Sequence, residues 1–403
     1  ARRSCGASAQ GKPSFGIEMA APQSSSALTG VALHRVRKEL QMLFEEPPPG
    51  ISAWWANESD AREVEAIVSI VAAQPEVRES YLERAWRFLS QLDPSFNSLK
   101  AHLLYQRLLF DHSRGVHNAD RFMDYIKMPR SVSYVHPDWI RDNRELWRHP
   151  ANLGQNFTKV TGLAPIGTDE PLVRNYLLEL LKEAGNYKPY APYFRETWLK
   201  GVFAESKIVH GVGDSERWAS YLTPSQFQAL KDRVDIEFDP TSPEHFDITD
   251  KVRLRVHIKN VQTLIVKVFE VNTLNYYLKH GTEISTDLDL DGLVANHERT
   301  VQYKDAPQRR IARDFDFPEI ANRRGIWIVE FIGGSKSSRA VIRKGRHHVL
   351  SSTAGRGEVL TVLNEARMPA EGAAVWFGGR RYKCDDEGRV LIPFTNEPGR
   401  RTP

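Results

Sequence analysis

Apolar and polar residues alternate strictly along a stretch that begins at Lys251. Val252, Leu254, Val256 and Ile258 are apolar, and the residues between them are polar. Successive side chains of a strand point to opposite faces, so this pattern places the apolar set on one face of a half-buried strand. Comparable patterns predict further strands at 263–271, 325–332 and 338–343.

The residues before this stretch are predicted to be mainly helical, because their apolar positions recur with helical spacing. The predicted helices are at about 33–44, 60–73, 77–92, 98–110, 169–185 and 223–234. Asp169 is the expected cap at the start of one helix, and Gly185 is expected in the left-handed position after its end. Thr223 and Gln226 have the spacing of a capping box at the start of the last helix.

Short helices and aromatic residues are expected between 118 and 167. Tryptophan is usually buried, so we expect four tryptophans to fill the helical core. These are Trp139, Trp147, Trp198 and Trp218.

A second set of short strands is predicted near the end of the sequence, at 374–377, 381–384 and 389–394. So few short strands rarely form a stable unit alone, so this second β-domain is predicted to be partial. The predicted fold class is α+β and multidomain: an N-terminal all-α domain, an antiparallel β-sandwich domain and a partial second β-domain. The predicted boundaries are a disordered tail at 1–28, the helical domain at 29–234, the β-sandwich at 235–350 and the partial sandwich at 351–403.

Composition narrows the class of partner. The chain has 403 residues, of which 41% are hydrophobic and 26% are charged, and its net charge is +4. These values are ordinary for a globular protein, and so small a charge predicts no nucleic-acid partner. Cys5 and Cys384 are too few for a disulfide framework, and the longest apolar run, 66–73, is too short to span a membrane.

One acidic segment matches the calcium-binding loop of EF-hand proteins. Asp287, Asp289 and Asp291 occupy loop positions 1, 3 and 5, Gly292 occupies position 6, and Glu298 occupies position 12. Calcium takes six to eight oxygen ligands, which carboxylates at this spacing supply. The four carboxylates are therefore a candidate calcium site.

Two features count against calcium. The loop lies between segments with strand patterns, and Ala295 at position 9 offers no side-chain oxygen. The alternative is an acidic surface loop in which Leu288, Leu290 and Leu293 pack into the sandwich. Elsewhere, His112 and His117 lie five residues apart, which is not the spacing of a helical zinc pair.

The β-rich half resembles the alpha-2-macroglobulin family. Segments 325–332 and 338–345 resemble the closing strands of a macroglobulin domain, and 368–376 with the turn at 386–388 resembles the start of the next domain. The resemblance covers 235–403 and implies β-sandwiches in a large extracellular or periplasmic protein with a protein partner, such as a protease. No signal peptide is recognised in the sequence. The Cys-Gly-Glu-Gln thioester motif of some members is absent, so covalent trapping chemistry is not expected.

A shorter segment, 31–57, resembles the first helix and following loop of ubiquitin-conjugating enzymes. That family implies a His-Pro-Asn motif shortly before a nucleophilic cysteine. The nearest match is His136-Pro137-Asp138, and no cysteine follows it before Cys384. A thioester needs a thiolate, so an active conjugating enzyme is not expected.

Three hypotheses follow. The first is a non-catalytic interaction or scaffold protein of alpha-2-macroglobulin-like type that acts through its β-sandwich surfaces, including protease binding or inhibition. The second is a degenerate ubiquitin-conjugating-like protein without the catalytic cysteine. The third is a calcium-dependent binding module. No paired nucleophile and base is recognised in the sequence, which favours the first hypothesis, so no catalytic residue is assigned.

Overall fold

The computed structural model describes residues 75–280, 284–290, 292–377 and 380–394. The expected tail, the helices predicted at 33–44 and 60–73, and the segment 31–57 lie outside the described residues. Asp291 of the candidate calcium site also lies outside them.

Helices dominate the first part of the described chain. They are α1 (Pro75–Leu89), α2 (Asn97–Ser113), α3 (Ala119–Lys127), α4 (Pro137–Asp142), α5 (Thr158–Thr161), α6 (Glu170–Leu180), α7 (Glu196–His210), α8 (Ser215–Ala219) and α9 (Pro224–Asp232). Short 3-10 turns lie at Pro94–Phe96, Leu146–Arg148 and Lys188–Tyr190. We call residues 75–232 the helical region.

Strands dominate the rest. They are β1 (Asp235–Phe238), β2 (His245–Phe246), β3 (Arg253–Lys259), β4 (Thr263–Val271), β5 (His297–Gln302), β6 (Arg310–Asp316), β7 (Gly325–Gly333), β8 (Lys336–Lys344), β9 (His348–Ala354), β10 (Gly357–Leu363), β11 (Ala374–Phe377), β12 (Arg380–Lys383) and β13 (Arg389–Pro393). One further helix, α10 (Thr273–His280), follows β4, and a 3-10 turn lies at Pro318–Ile320. The predicted α+β class, with helices before mainly antiparallel sheets, is confirmed; β2 pairs with β8 in parallel.

The helical core is built around α2. Its Leu104 and Leu108 are fully buried and belong to one cluster with Tyr176 of α6 and Val202 and Phe203 of α7. Because side chains three and four positions apart share a helix face, each helix contributes one apolar stripe to this core. Helix α7 was not predicted.

The expected capping role of Asp169 is not observed. It precedes α6 as predicted, but its side chain makes no capping hydrogen bond. Instead its carboxylate is buried, and it accepts hydrogen bonds from Arg130 Nη1 at 2.5 Å, Tyr125 Oη at 2.8 Å and Tyr134 Oη at 2.6 Å. Helix α6 ends at Leu180, so Gly185 is not its left-handed cap. The long-range cluster, and not local capping, explains the aspartate.

The four tryptophans are not all in the core. Trp218 is buried, whereas Trp139, Trp147 and Trp198 are only partly buried. The capping box at Thr223 is present in full and starts α9, as predicted.

Two sheets form a sandwich over residues 235–344, which we call the first β-unit. Strands β1, β3 and β6 form one sheet, and β2, β8, β7, β4 and β5 form the other in that order. Leu254, Val256 and Ile258 of β3 face Val329 and Phe331 of β7 in a shared apolar core. The strict alternation in β3 therefore arises because one face of the strand is buried and the other is not.

The outer face of β3 is held by cross-strand ion pairs. Arg253 pairs with Asp316 at 2.7 Å, and Arg255 pairs with Asp314 at 2.8 Å. Opposite charges facing each other across an antiparallel pair favour this register. The alternation in the sequence therefore places the apolar side chains of β3 in the core and its arginines on the outer face.

Residues 348–393 form a smaller second β-unit. Strands β13, β10 and β9 make a three-stranded sheet, and β11 with β12 makes a separate hairpin. Val362, Ala370, Cys384, Val390 and Ile392 form its core. None of the described helices is long and apolar enough to cross a membrane.

Candidate functional site

A polar cleft of about 590 Å³ lies where the helical region meets the first β-unit. Its walls carry four histidines from different elements. His112 comes from α2, His117 follows α2, His210 ends α7, and His257 lies on β3. Titratable groups drawn together in a cleft are the usual mark of a functional site, so this cleft is the candidate site.

His112 and His117 bond to each other. His112 Nδ1 lies 3.0 Å from His117 Nε2, so one ring donates its proton to the other ring's lone pair. Both rings pack against Tyr176 of α6. Burial lowers the pKa of both histidines, which favours their neutral forms. The sequence did not reveal this contact, because the turn at Gly115 folds the two rings together.

Glu179 and His210 make a second pair in the same cleft. Their Oε1 and Nε2 atoms lie 3.5 Å apart, and His210 Nδ1 lies 2.8 Å from the carbonyl oxygen of Ser206. A carbonyl oxygen can only accept, so Nδ1 donates to Ser206 and Nε2 is the ring atom that faces Glu179. The hydrogen bond from His210 lowers the pKa of Glu179 to about 2.

The β-side of the cleft contributes a third pair. His257 Nε2 lies 2.9 Å from Asp239 Oδ2, and burial lowers the pKa of His257. Burial opposes ionisation of Asp239, but hydrogen bonds from Thr241 and His257 outweigh it and lower its pKa. Arg310 lies close by and pairs with Glu237 at 2.7 Å.

Polar contacts join the end of the helical region to the start of the first β-unit. Arg233, just after α9, pairs with Glu205 of α7 at 2.8 Å and with Asp235 of β1 at 3.0 Å. Lys259 of β3 is buried and its Nζ donates to the carbonyl oxygen of Arg233 at 2.6 Å. Asn260 Nδ2 donates to the carbonyl oxygen of Asp232 at 3.0 Å. These bonds tie the helical region to the first β-unit.

Arg309 lines the cleft beside the C-terminal end of α7. Gly211 ends that helix with a φ of 65°, in the left-handed region that favours glycine. A β-carbon at Gly211 would lie 1.1 Å from Arg309 Nη1, so the guanidinium occupies the space that a side chain would need. A cation at this position also complements the carbonyl end of the helix.

The cleft combines charged and hydrogen-bonding groups from the helical region and the first β-unit. It offers proton donors, proton acceptors and cations, but no cysteine or serine is among the described residues that line it. Cys384 is buried in the second β-unit, where burial raises the pKa of its thiol.

The predicted calcium ligands are spread over a loop and a strand. Asp287 and Asp289 lie in the loop after α10, while Glu298 lies on β5, where its carboxylate is 3.8 Å from Lys267 Nζ. No group of three histidine, cysteine or acidic residues suited to a metal occurs among the described residues. Asp291 is outside them, so the calcium site stays a prediction.

The three leucines of this loop differ in how deeply they are buried. Leu290 is buried against Phe269 and Ile328, on the face of the larger sheet that points away from the main core, and Leu288 packs there in part. Leu293 is exposed. The described part of the loop is therefore anchored by Leu290.

His136, the nearest match to the conjugating-enzyme motif, has a local structural role. Its Nδ1 accepts a hydrogen bond from the backbone amide of Asp138 at 3.1 Å and so caps α4. Capping of α4 accounts for the position of this histidine.

Together the elements define a multidomain α+β protein whose helical region precedes a β-sandwich and a smaller β-unit. Residues 64–234 match the family model described as the Actin-binding protein F N-terminal domain. Residues 264–345 match the model described as the AbpF first immunoglobulin-like domain.

The chain is also similar to a curated protein, Actin-binding protein F of Dictyostelium discoideum. The two are 33% identical over 329 residues, which is 81% of this chain and 14% of that protein. The chain therefore spans about one seventh of the length of the relative that it matches.

Two solved structures of alpha-2-macroglobulin from Escherichia coli show a weak likeness. The structure spanning domains MG0-NIE-MG1 has a TM-score of 0.29 and 11% identity, and the match covers 41% of this chain and 58% of that chain. The structure spanning NIE-MG1 has a TM-score of 0.27 and 12% identity, covering 41% and 88%. Such scores carry no functional argument. None of these similarities supports a ubiquitin-conjugating segment or a protease partner.

Proposed function

We propose that this chain is a non-catalytic binding segment and that its partner is actin. The observation that carries the proposal is the 33% identity to Actin-binding protein F over 329 residues. That match extends over 81% of this chain, so it includes both helical and β-rich sequence.

The chemistry of the chain is consistent with a binding role. The candidate cleft has no cysteine or serine among the described residues that line it, and its carboxylates are engaged by histidine or arginine. Partly buried ion pairs of Arg233 with Glu205 and Asp235 join the end of the helical region to β1, and this supports a scaffold that presents fixed surfaces.

The test is co-sedimentation of the full chain with filamentous actin. We expect the chain to pellet with filaments in a saturable manner and to stay in the supernatant without them. Serum albumin at the same concentration serves as the control for trapping. If the chain stays in the supernatant at every filament concentration, down to low ionic strength, the proposal is wrong.

A further inference from the structure

The hairpin formed by β11 and β12 has two different faces. Val375 lies opposite Tyr382, and both pack against the core of the second β-unit. Side chains alternate along a strand, so the neighbouring residues project away from that core. Trp376 opposite Arg381, and Ala374 opposite Lys383, therefore form the outward face.

This outward face is cationic, and its two cations form no ion pair within the part of the chain that the structure describes. Arg381 and Lys383 are exposed, and neither forms an ion pair with another described residue. Arginines elsewhere in the two β-units are widely paired with carboxylates. Examples are Arg253, Arg255, Arg310, Arg313, Arg323, Arg324, Arg339 and Arg389.

One aromatic side chain, that of Trp376, accompanies these cations on the outward face. Trp376 is partly exposed between the strands' charged residues and belongs to none of the apolar clusters among the described residues. Tryptophan and arginine are the residues most enriched at the energetic centres of protein interfaces. A partly exposed tryptophan directly across from an unpaired arginine has that composition.

The hairpin is also held in place. Val375 and Tyr382 anchor its inner face, and the amide of Cys384 donates to the carbonyl oxygen of Ala373 at 3.0 Å at its base. Side chains on an anchored strand lose less entropy on binding than those on a free loop. The outward face is therefore suited to docking.

We infer that the outward face of the β11–β12 hairpin is the surface through which this chain contacts actin, and that the partner meets it with carboxylates. This inference rests on the proposed function. Unpaired cations attract an acidic surface and speed association, while Trp376 supplies apolar contact area. A protein partner is favoured over nucleic acid because so few cations neutralise too few phosphates for tight binding.

The decisive variant carries Arg381→Glu and Lys383→Glu in the full chain. We expect its affinity for filamentous actin to fall about tenfold or more, because attraction is replaced by repulsion. Trp376→Ala should weaken binding comparably without changing the charge. The matched control carries Lys251→Glu and Arg356→Glu, two exposed cations outside the hairpin that have no ion pair among the described residues, and it should bind like the parent. Thermal unfolding of each variant checks that the fold is retained.

The outcomes separate the two claims. If the parent chain does not pellet with filaments, the proposed function fails and this inference fails with it. If the parent pellets and the hairpin variant pellets equally well, the inference alone is wrong. If both charge variants lose affinity to the same extent, the effect is diffuse electrostatics and the docking face is refuted. Binding of a labelled single-stranded oligonucleotide is measured by fluorescence anisotropy for the parent and the hairpin variant. If the parent binds the oligonucleotide but not actin, and the hairpin variant binds neither, the choice of partner is wrong.

Discussion

Replacing Asp169 by asparagine should destabilise the helical region strongly. Asp169 and Arg130 form an ion pair whose side chains are each 1% exposed. The substitution removes the negative charge but keeps the shape, so it leaves the Arg130 guanidinium buried without a counter-ion. Breaking a buried pair from one side costs about 3–5 kcal/mol.

The same cluster includes two tyrosines. Tyr125 and Tyr134 both donate to the carboxylate, and burial raises the pKa of each, so both stay neutral donors. The Arg130 guanidinium also lies 4.4 Å from the ring centroid of Tyr125. The substituted amide would retain one acceptor oxygen for these donors, so the lost charge is the dominant effect.

Urea denaturation of the full chain, followed by circular dichroism, measures the effect. With a typical slope of about 2–3 kcal/mol per M, the midpoint of the helical transition should fall by about 1–2 M. Asp138→Asn is the matched control, because Asp138 forms an exposed pair with Arg141 and should cost less than about 1 kcal/mol.

A double substitution, Arg130→Met with Asp169→Leu, should recover part of the loss, because no buried charge then remains unpaired. If Asp169→Asn unfolds within about 1 kcal/mol of the parent chain, Asp169 is not compensating a buried arginine and the reasoning is refuted.

Three further predictions concern other parts of the chain. Burial lowers the pKa of His102 to about 4 from its ordinary value of 6.5, because the buried site favours the neutral ring. The neutral ring therefore stabilises the folded state above a pH of about 6.5, and this stabilisation is lost as the pH falls toward 4. The free energy of unfolding should drop by about 2 kcal/mol more between pH 7.5 and 5 in the parent than in His102→Gln, and equal drops would contradict this. Gly211→Ala should lower the free energy of unfolding by about 1–2 kcal/mol in thermal denaturation, because Gly211 has a left-handed φ and the new methyl group would displace Arg309. Gly185→Ala is the control and should be nearly neutral, because nothing lies within 4 Å of the added β-carbon. Similar losses in the two variants would disprove the packing argument. The calcium hypothesis predicts saturable heat when calcium is titrated into the parent chain and its loss in Asp289→Ala, and no heat from the parent eliminates the site.

Local signals in the sequence were sufficient for several elements. Strand β4 spans Thr263–Val271, as its apolar pattern predicted, and the capping box at Thr223 starts α9. In each case the responsible interactions lie within a few residues, so they leave a periodic or spaced signature. The predicted domain boundaries stay a prediction.

Other elements left no such signature. Strand β5 is mostly exposed and lacks an apolar face, so backbone pairing with β4 defines it. Helix α7 buries Glu205, Ser206 and Lys207 among its apolar residues, and the stripe that would reveal an amphipathic helix is interrupted. These polar groups are tolerated because distant partners satisfy them.

The sequence alone determined the change from helices to antiparallel strands and the faces of the regular strands, because side-chain periodicity is a local property. Only the tertiary structure decided what Asp169 binds and which histidines meet. His112, His117, His210 and His257 are separated along the chain by up to 145 residues and share one cleft because the helical region packs on the first β-unit. Contacts between distant segments depend on how whole elements pack, and no spacing within the sequence encodes them directly.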